Sequence, residues 1–161
     1  MRLREWIPST SHFQSLPLLS LDILSNQMEE NAVNMPDPLA AELAMAHLDV
    51  CRAKEDSCGG VVECIIKGVP AGVGEPCFDK LSANLAKAIF SIGAVKGFEL
   101  GDGFDAAKMH GSENNDSFGM EDGHVKKLSN HSGGTLGGIS DGSDILFRAA
   151  FKPTPSISQE Q

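Results

Sequence analysis

Basic residues are scarce in this 161-residue chain: Lys and Arg number 13 against 22 Asp and Glu, for a formal net charge of −9. Such a balance excludes nucleic acid and anionic membrane as partners, because neutralising phosphates takes clustered Lys and Arg. A small anionic ligand remains open, since one pocket needs only a few local donors. Aromatic residues are few, with no Tyr, 1 Trp and 8 Phe. No apolar run approaches the roughly 18 residues of a membrane span. The start is a poor signal peptide, for its apolar stretch is broken by Pro17, Ser20 and Asp22 and no small-x-small cleavage site follows. The cysteines Cys51, Cys58, Cys64 and Cys77 form no CxxC pair and have no His at zinc-finger spacing. The expectation is therefore free thiols in a reducing compartment, with no metal site. Cys58, Cys64 and Cys77, set among Val, Ile and Phe, read as buried small hydrophobes. Nucleotide motifs are wanting as well: no Walker A loop occurs, and Gly101-Asp102-Gly103 fails as a dinucleotide fingerprint at Ala106, leaving a turn after a strand.

What is present is a globular composition, 41% hydrophobic and 22% charged. A chain this long can hide on the order of 70% of its unfolded surface. Residues 1–25 show no clear period and read as a divergent or poorly ordered N-terminal segment. After it, Asp37 is placed to cap a helix and Pro38 to occupy its first position. Leu39, Leu43, Ala46 and Val50 keep helical spacing to about Lys54. Residues 61–69 alternate as a strand, with Val62, Cys64 and Ile66 on one face. Phe78, Leu81, Leu85, Ala88 and Ile89 give an amphipathic helix whose stripe suits a sheet. Val95–Leu100 and Ile145–Phe151 read as two further strands. Between them lies a polar stretch, about residues 101–144, too long for an idle connection.

Three segments carry candidate chemistry. Residues 110–116, His-Gly-Ser-Glu-Asn-Asn-Asp, could serve acid/base or metal chemistry but read as a solvated loop. Residues 130–142 hold two Gly-Gly pairs, which let backbone approach a ligand and leave N–H groups to cradle an anion. Residues 152–156, Lys-Pro-Thr-Pro-Ser, set a cation beside hydroxyls on a stretch stiffened by proline, which suits a phosphate.

These residues resemble the chorismate synthase family. The resemblance is carried by residues 31–38 (Asn-Ala-Val-Asn-Met-Pro-Asp-Pro), 56–63 (Asp-Ser-Cys-Gly-Gly-Val-Val-Glu) and 68–81. It continues through Leu85-Ala86-Lys87-Ala88, residues 91–99 (Ser-Ile-Gly-Ala-Val-Lys-Gly-Phe-Glu), Gly101-Asp102-Gly103-Phe104, and residues 111–116, 130–142 and 151–156. Order and spacing hold over residues 26–161, a partial chorismate synthase domain. The implied fold is α+β, an incomplete sandwich of antiparallel sheet and packed helices. The implied reaction is a 1,4-elimination of phosphate from 5-enolpyruvylshikimate 3-phosphate to chorismate, in the shikimate route to aromatic amino acids. It needs reduced FMN but has no net redox change. The family is a cytoplasmic homotetramer, plastid-located in plants; some members add a flavin reductase activity, with NADP.

Carried over residue by residue, the resemblance puts Gly93, Ala94, Gly137, Lys152, Pro153, Thr154, Pro155 and Ser156 at FMN. It assigns no catalytic residue and no metal ligand to this chain. The family's Phe-Gly-Glu-Ser-His-Gly, Arg-Ser-Ser-Ala-Arg-Glu-Thr and Gly-Arg-His-Asp-Pro-Cys motifs do not occur among the 161 residues. The first two carry the histidines credited with proton handling and the arginines that hold substrate phosphate. Smaller departures are Gly93 for Pro or Asn, His110 for Arg, and Asn114 for His. The expectation is an isolated chain without turnover, the alternative a non-catalytic remnant that binds FMN or assembles with a complementing chain.

Overall fold

The computed structural model describes residues 2–4, 31–35 and 37–160. The expectation for residues 1–25 lies mostly outside these; within it Arg2–Arg4 form an edge strand, β1. Helix α1 runs Pro38–Ala53 and starts where the sequence says it should. Asp37 accepts hydrogen bonds from the N–H groups of Leu39 and Ala40, and Pro38 fills the first helical position. Just upstream, the Asn31 side chain accepts from Val33 and Met35 N–H, fixing the entry turn.

Strand β2 (Gly60–Ile66) is followed by helix α2 (Leu81–Phe90) and strand β3 (Val95–Leu100). Strand β8 (Ile145–Phe151) closes a four-stranded antiparallel sheet in the order β1-β2-β8-β3. The bounds of β3 and β8 are those read from the sequence. Strand β2 stops short of residue 69, because Gly68 at φ 75° turns the chain out of the sheet. Helix α2 lies on one face of the sheet. Leu81, Leu85 and Ile89 pack against Cys64, Ile145 and Phe147, with Phe98 and Leu100 at the side. This is the expected α+β arrangement of helix on antiparallel sheet. Phe78 and Ala88 are exposed, so the stripe on the sheet is narrower than the sequence suggested.

Two further expectations need correction. In α1 the stripe Leu39, Leu43, Ala46 and Val50 faces outward, while Ala41 and Ala44 are buried with Met35. Helical period alone cannot say which of two adjoining apolar faces is covered, and here the small residues permit the closer approach. The polar stretch 101–144 is also more ordered than a loop. It holds a 3-10 turn (Gly103–Lys108), the short helix α3 (Gly111–Asn114), and two hairpins. The first hairpin pairs β4 (Phe118–Glu121) with β5 (His124–Lys127), and the second pairs β6 (Thr135–Leu136) with β7 (Ile139–Ser140). Asp122 and Gly123, at φ 51° and 79°, make the turn of the first. An Asp-Gly pair is a strong hairpin signal that the sequence reading passed over.

Candidate functional site

At one end of the sheet, where β3 begins and β8 finishes, Val95 stands opposite Phe151. Helix α2 ends with Ser91 hydrogen-bonded to its last turn, through both N–H and hydroxyl. The chain then passes through Gly93 and Ala94 into β3. The Ala94 carbonyl accepts the N–H of Lys152 at 2.9 Å, so the residue after β8 is tied to the residue before β3. Ala94 stands at φ 69°, left-handed backbone that a side chain disfavours.

Residues 152–156 leave the sheet as an exposed shelf, braced from behind by the loop after α1. The Ser57 hydroxyl donates to the Thr154 carbonyl at 2.6 Å, and Ser158 N–H donates to the Glu55 carbonyl at 3.2 Å. A Cβ on Gly59 would stand 2.4 Å from the Phe151 carbonyl oxygen and 3.1 Å from Pro153, so only glycine admits this approach. The ammonium of Lys152 and the side chains of Thr154 and Ser156 are exposed, and a Cβ on Gly93 would meet nothing within 4 Å. The structure thus gathers Gly93, Ala94, Lys152, Pro153, Thr154, Pro155 and Ser156 at one place. Gly137 is elsewhere. It lies in the turn of the β6–β7 hairpin, whose next residue Gly138 packs on Lys80 and accepts the Leu81 N–H at 2.7 Å. That is the opposite end of α2, whose 10 residues span roughly 15 Å.

Residues 110–116 are not a plain solvated loop. At the start of α3 the His110 N–H donates to the Glu113 carboxylate at 2.7 Å, and Asp116 is the acceptor of a buried polar hub. Its side chain is 3% exposed and lies 2.9 Å from the Lys127 ammonium, itself 3% exposed. Asp116 also accepts from the Ser129 hydroxyl at 2.7 Å and from the N–H groups of His131 and Ser132 at 2.7 and 3.0 Å. Burial opposes its charge, but the hydrogen bonds from Ser132, Lys127 and Ser129 outweigh it and hold the carboxyl well below the usual carboxylate range. Lys127 reaches Asp141 at 2.8 Å and Ser132 Oγ at 2.7 Å, and Asp141 too is held low against its burial by Lys127 and Ser143.

The glycines of residues 130–142 divide by role. Gly133 and Gly134 press against backbone, where added Cβ atoms would fall 2.3 Å from Gly101 N and 2.5 Å from the Asp144 carbonyl oxygen. Their N–H groups donate to Asn130, so this pair serves packing rather than an anion. On the sheet face away from α2, Arg148 stands between Glu63 and Glu99 in register and bonds Glu99 at 2.7 Å. Beside it His131 Nδ1 meets Asp102 at 2.6 Å. A cleft of about 220 Å³ lined by Glu63, Asp102, Asp105 and Arg148 opens there.

The cysteines depart from expectation. Cys64 is buried, but Cys58 is half-buried and Cys77 exposed, and all four are free thiols. The structure groups His47, Cys51 and Cys58, whose ligand atoms all lie within 4.8 Å of one another. Burial pushes the Cys58 thiol up, aided by its hydrogen bond with Cys51. The available signal was His47 and Cys51 four apart on one helix, but Cys58 joins them only through the turn that ends α1.

Among the described residues no helix is long and apolar enough to cross a membrane. A family model for chorismate synthase matches residues 6–161. The chorismate synthase of Lachnoclostridium phytofermentans is 66% identical over 128 residues, covering 79% of this chain and 35% of that protein. The one from Methanosarcina mazei is 56% identical over 143 residues, covering 89% and 39%. A crystal structure of chorismate synthase superposes with a TM-score of 0.74 at 35% identity, over 83% of this chain and 41% of that one. The chain spans little more than a third of the length of these relatives.

Proposed function

Since the chain belongs to the chorismate synthase family, we propose that it supplies flavin-holding segments for the conversion of 5-enolpyruvylshikimate 3-phosphate to chorismate. The observation that carries this reading is the hydrogen bond from Lys152 N–H to the Ala94 carbonyl, which fuses two candidate flavin segments into one surface. The residues present fit FMN. Gly93 and Gly137 leave open space where a Cβ would stand, and Lys152 offers an exposed cation beside two hydroxyls. Lys152, Thr154 and Ser156 would hold the phosphate, with Pro153 and Pro155 limiting the entropy lost on binding. Gly93 and Ala94 would let the cofactor approach the backbone, and Ala94 in left-handed geometry is the kind of strain retained at functional sites. Gly137, at the far end of α2, would meet a different part of the cofactor or a neighbouring subunit of a homotetramer. Reduced FMN, when bound, supplies electron density for an elimination without net redox change.

The chain's own part is positional. The shelf places a cation, and the buried hub of Asp116 and Lys127 fixes the loops above the sheet. The proton-handling histidines and phosphate-holding arginines of the family lie in motifs that these 161 residues do not contain, so the chain alone turns over no substrate. Its free thiols suit the cytoplasm. The test is a chimera in which residues 31–160 replace the matching segment of the Lachnoclostridium phytofermentans enzyme. The chimera forms chorismate anaerobically with reduced FMN, and Lys152→Gln weakens FMN binding about tenfold or more, the loss of one charge-assisted contact. Unchanged FMN affinity in both Lys152→Gln and Ser156→Ala would refute the assignment. Chorismate formed by the 161-residue chain alone, above a no-protein control, would refute its inactivity.

A further inference from the structure

We infer that His47, Cys51 and Cys58 form a binding site for a thiophilic divalent cation, zinc in the first instance, separate from the flavin shelf. His47 and Cys51 are four residues apart on α1 and so project from one face of the helix. The helix ends at Ala53, and Glu55 at φ 56° reverses the chain. Asp56 N–H then donates back to the Cys51 carbonyl at 3.0 Å. This turn returns Cys58 to the helix's last turns, and all three ligand atoms fall within 4.8 Å of one another. Tetrahedral zinc, with Zn–S about 2.3 Å and Zn–N about 2.0 Å, sets its donors roughly 3.5–3.8 Å apart. Each pair therefore closes by no more than ~1.3 Å, within the reach of small side-chain rotations.

The third ligand does not depend on a floppy loop. The segment carrying Cys58 is pinned by the hydrogen bonds from Ser57 to Thr154, from Ser158 to Glu55 and from Gln159 to Lys54. It is pinned again by the close approach of Gly59 to Phe151 and Pro153. All three donors are half-buried, which shields a metal on the protein side and leaves a fourth position to water or an incoming ligand. One imidazole and two cysteine sulfurs, which give up their protons as the metal binds, are a soft set that selects zinc over magnesium or calcium. Glu55 and Asp56 on the turn add negative charge that favours a dication, against Lys54 beside them and Arg52, which is paired with Asp49 at 3.2 Å. The inference is independent of flavin binding and of turnover.

The test is titration of the reduced, chelator-stripped 161-residue chain with Co²⁺, which reports thiolate ligation by a sulfur-to-metal charge-transfer band. The expected result is one Co²⁺ per chain with that band, and its displacement by Zn²⁺. Cys51→Ser, Cys58→Ser and His47→Gln each lower the affinity about a hundredfold or more, beyond the 10–100-fold cost of losing an outer partner. Cys77→Ser leaves it unchanged. Far-UV circular dichroism of each variant checks that it folds. A variant-free measurement stands beside these: Zn²⁺ should protect Cys51 and Cys58, but not the exposed Cys77, from alkylation read by mass spectrometry. A missing charge-transfer band, a band that survives loss of both Cys51 and Cys58, or no difference in alkylation would overturn the site.

Discussion

Replacing Lys127 by Met removes the one cation of the buried hub while keeping most of its volume. The perturbation leaves Asp116 and Asp141, 3% and 7% exposed, without their shared ammonium. Breaking a buried ion pair by removing one partner costs about 3–5 kcal/mol. Here the lower end applies. Asp116 keeps the Ser129 hydroxyl and the N–H groups of His131 and Ser132, and Asp141 keeps the N–H of Ser143. The readout is hydrogen exchange at the His131 and Ser132 amides, which donate to Asp116 and are released when the hub opens. A loss of about 3 kcal/mol accelerates their exchange on the order of a hundredfold, since each tenfold corresponds to about 1.4 kcal/mol. Lys126→Met is the matched control. Lys126 pairs with Glu121 on the neighbouring strand, but both side chains are about 60% exposed, and such surface pairs contribute about 0–1 kcal/mol. Equal effects of the two substitutions, or unchanged exchange at His131 and Ser132 in Lys127→Met, would show that the ammonium does not hold these loops.

The same hub sets an acid limit. Asp116 is held below its unfolded value, so its charge stabilises the fold above about pH 4, and that stabilisation is lost as pH falls towards the folded value. Asp116→Asn should flatten the acid limb of a pH-dependent unfolding curve followed by circular dichroism; an unaltered limb would assign it to other groups. Gly101→Ala should prevent native folding, because its Cβ would lie 2.0 Å from the His131 carbonyl oxygen at φ 57°. Gly123→Ala, with nothing within 4 Å, should cost only about 1–2 kcal/mol for left-handed backbone, as read by thermal melting. Gly59→Ala should detach residues 152–156 from the sheet end, measured as faster exchange of the Lys152 amide. Retained protection there would mean the shelf is held from elsewhere.

Local signals carried the sequence reading a long way. The Asp37 cap and Pro38 gave the start of α1. The apolar patterns gave β3 and β8 to the residue, and the motifs at residues 91–99, 130–142 and 152–156 gave the family. Each depends on neighbours within a few positions, where backbone preference and side-chain period operate. The face of α1 that is buried, the sheet order β1-β2-β8-β3 and the tie between Ala94 and Lys152 depend on which distant segments meet. So do the pairing of Asp116 with Lys127 and the grouping of His47, Cys51 and Cys58. Asp116 reads as solvated in sequence because nothing nearby announces its partner. It becomes a buried anion only when the β4–β5 hairpin and the loop after it bring Lys127, Ser129 and Ser132 around it. Sequence therefore determined the two long helices, the three long strands and the kinship of this protein, while tertiary packing decided which polar groups leave water, since desolvation is offset only by partners that folding supplies.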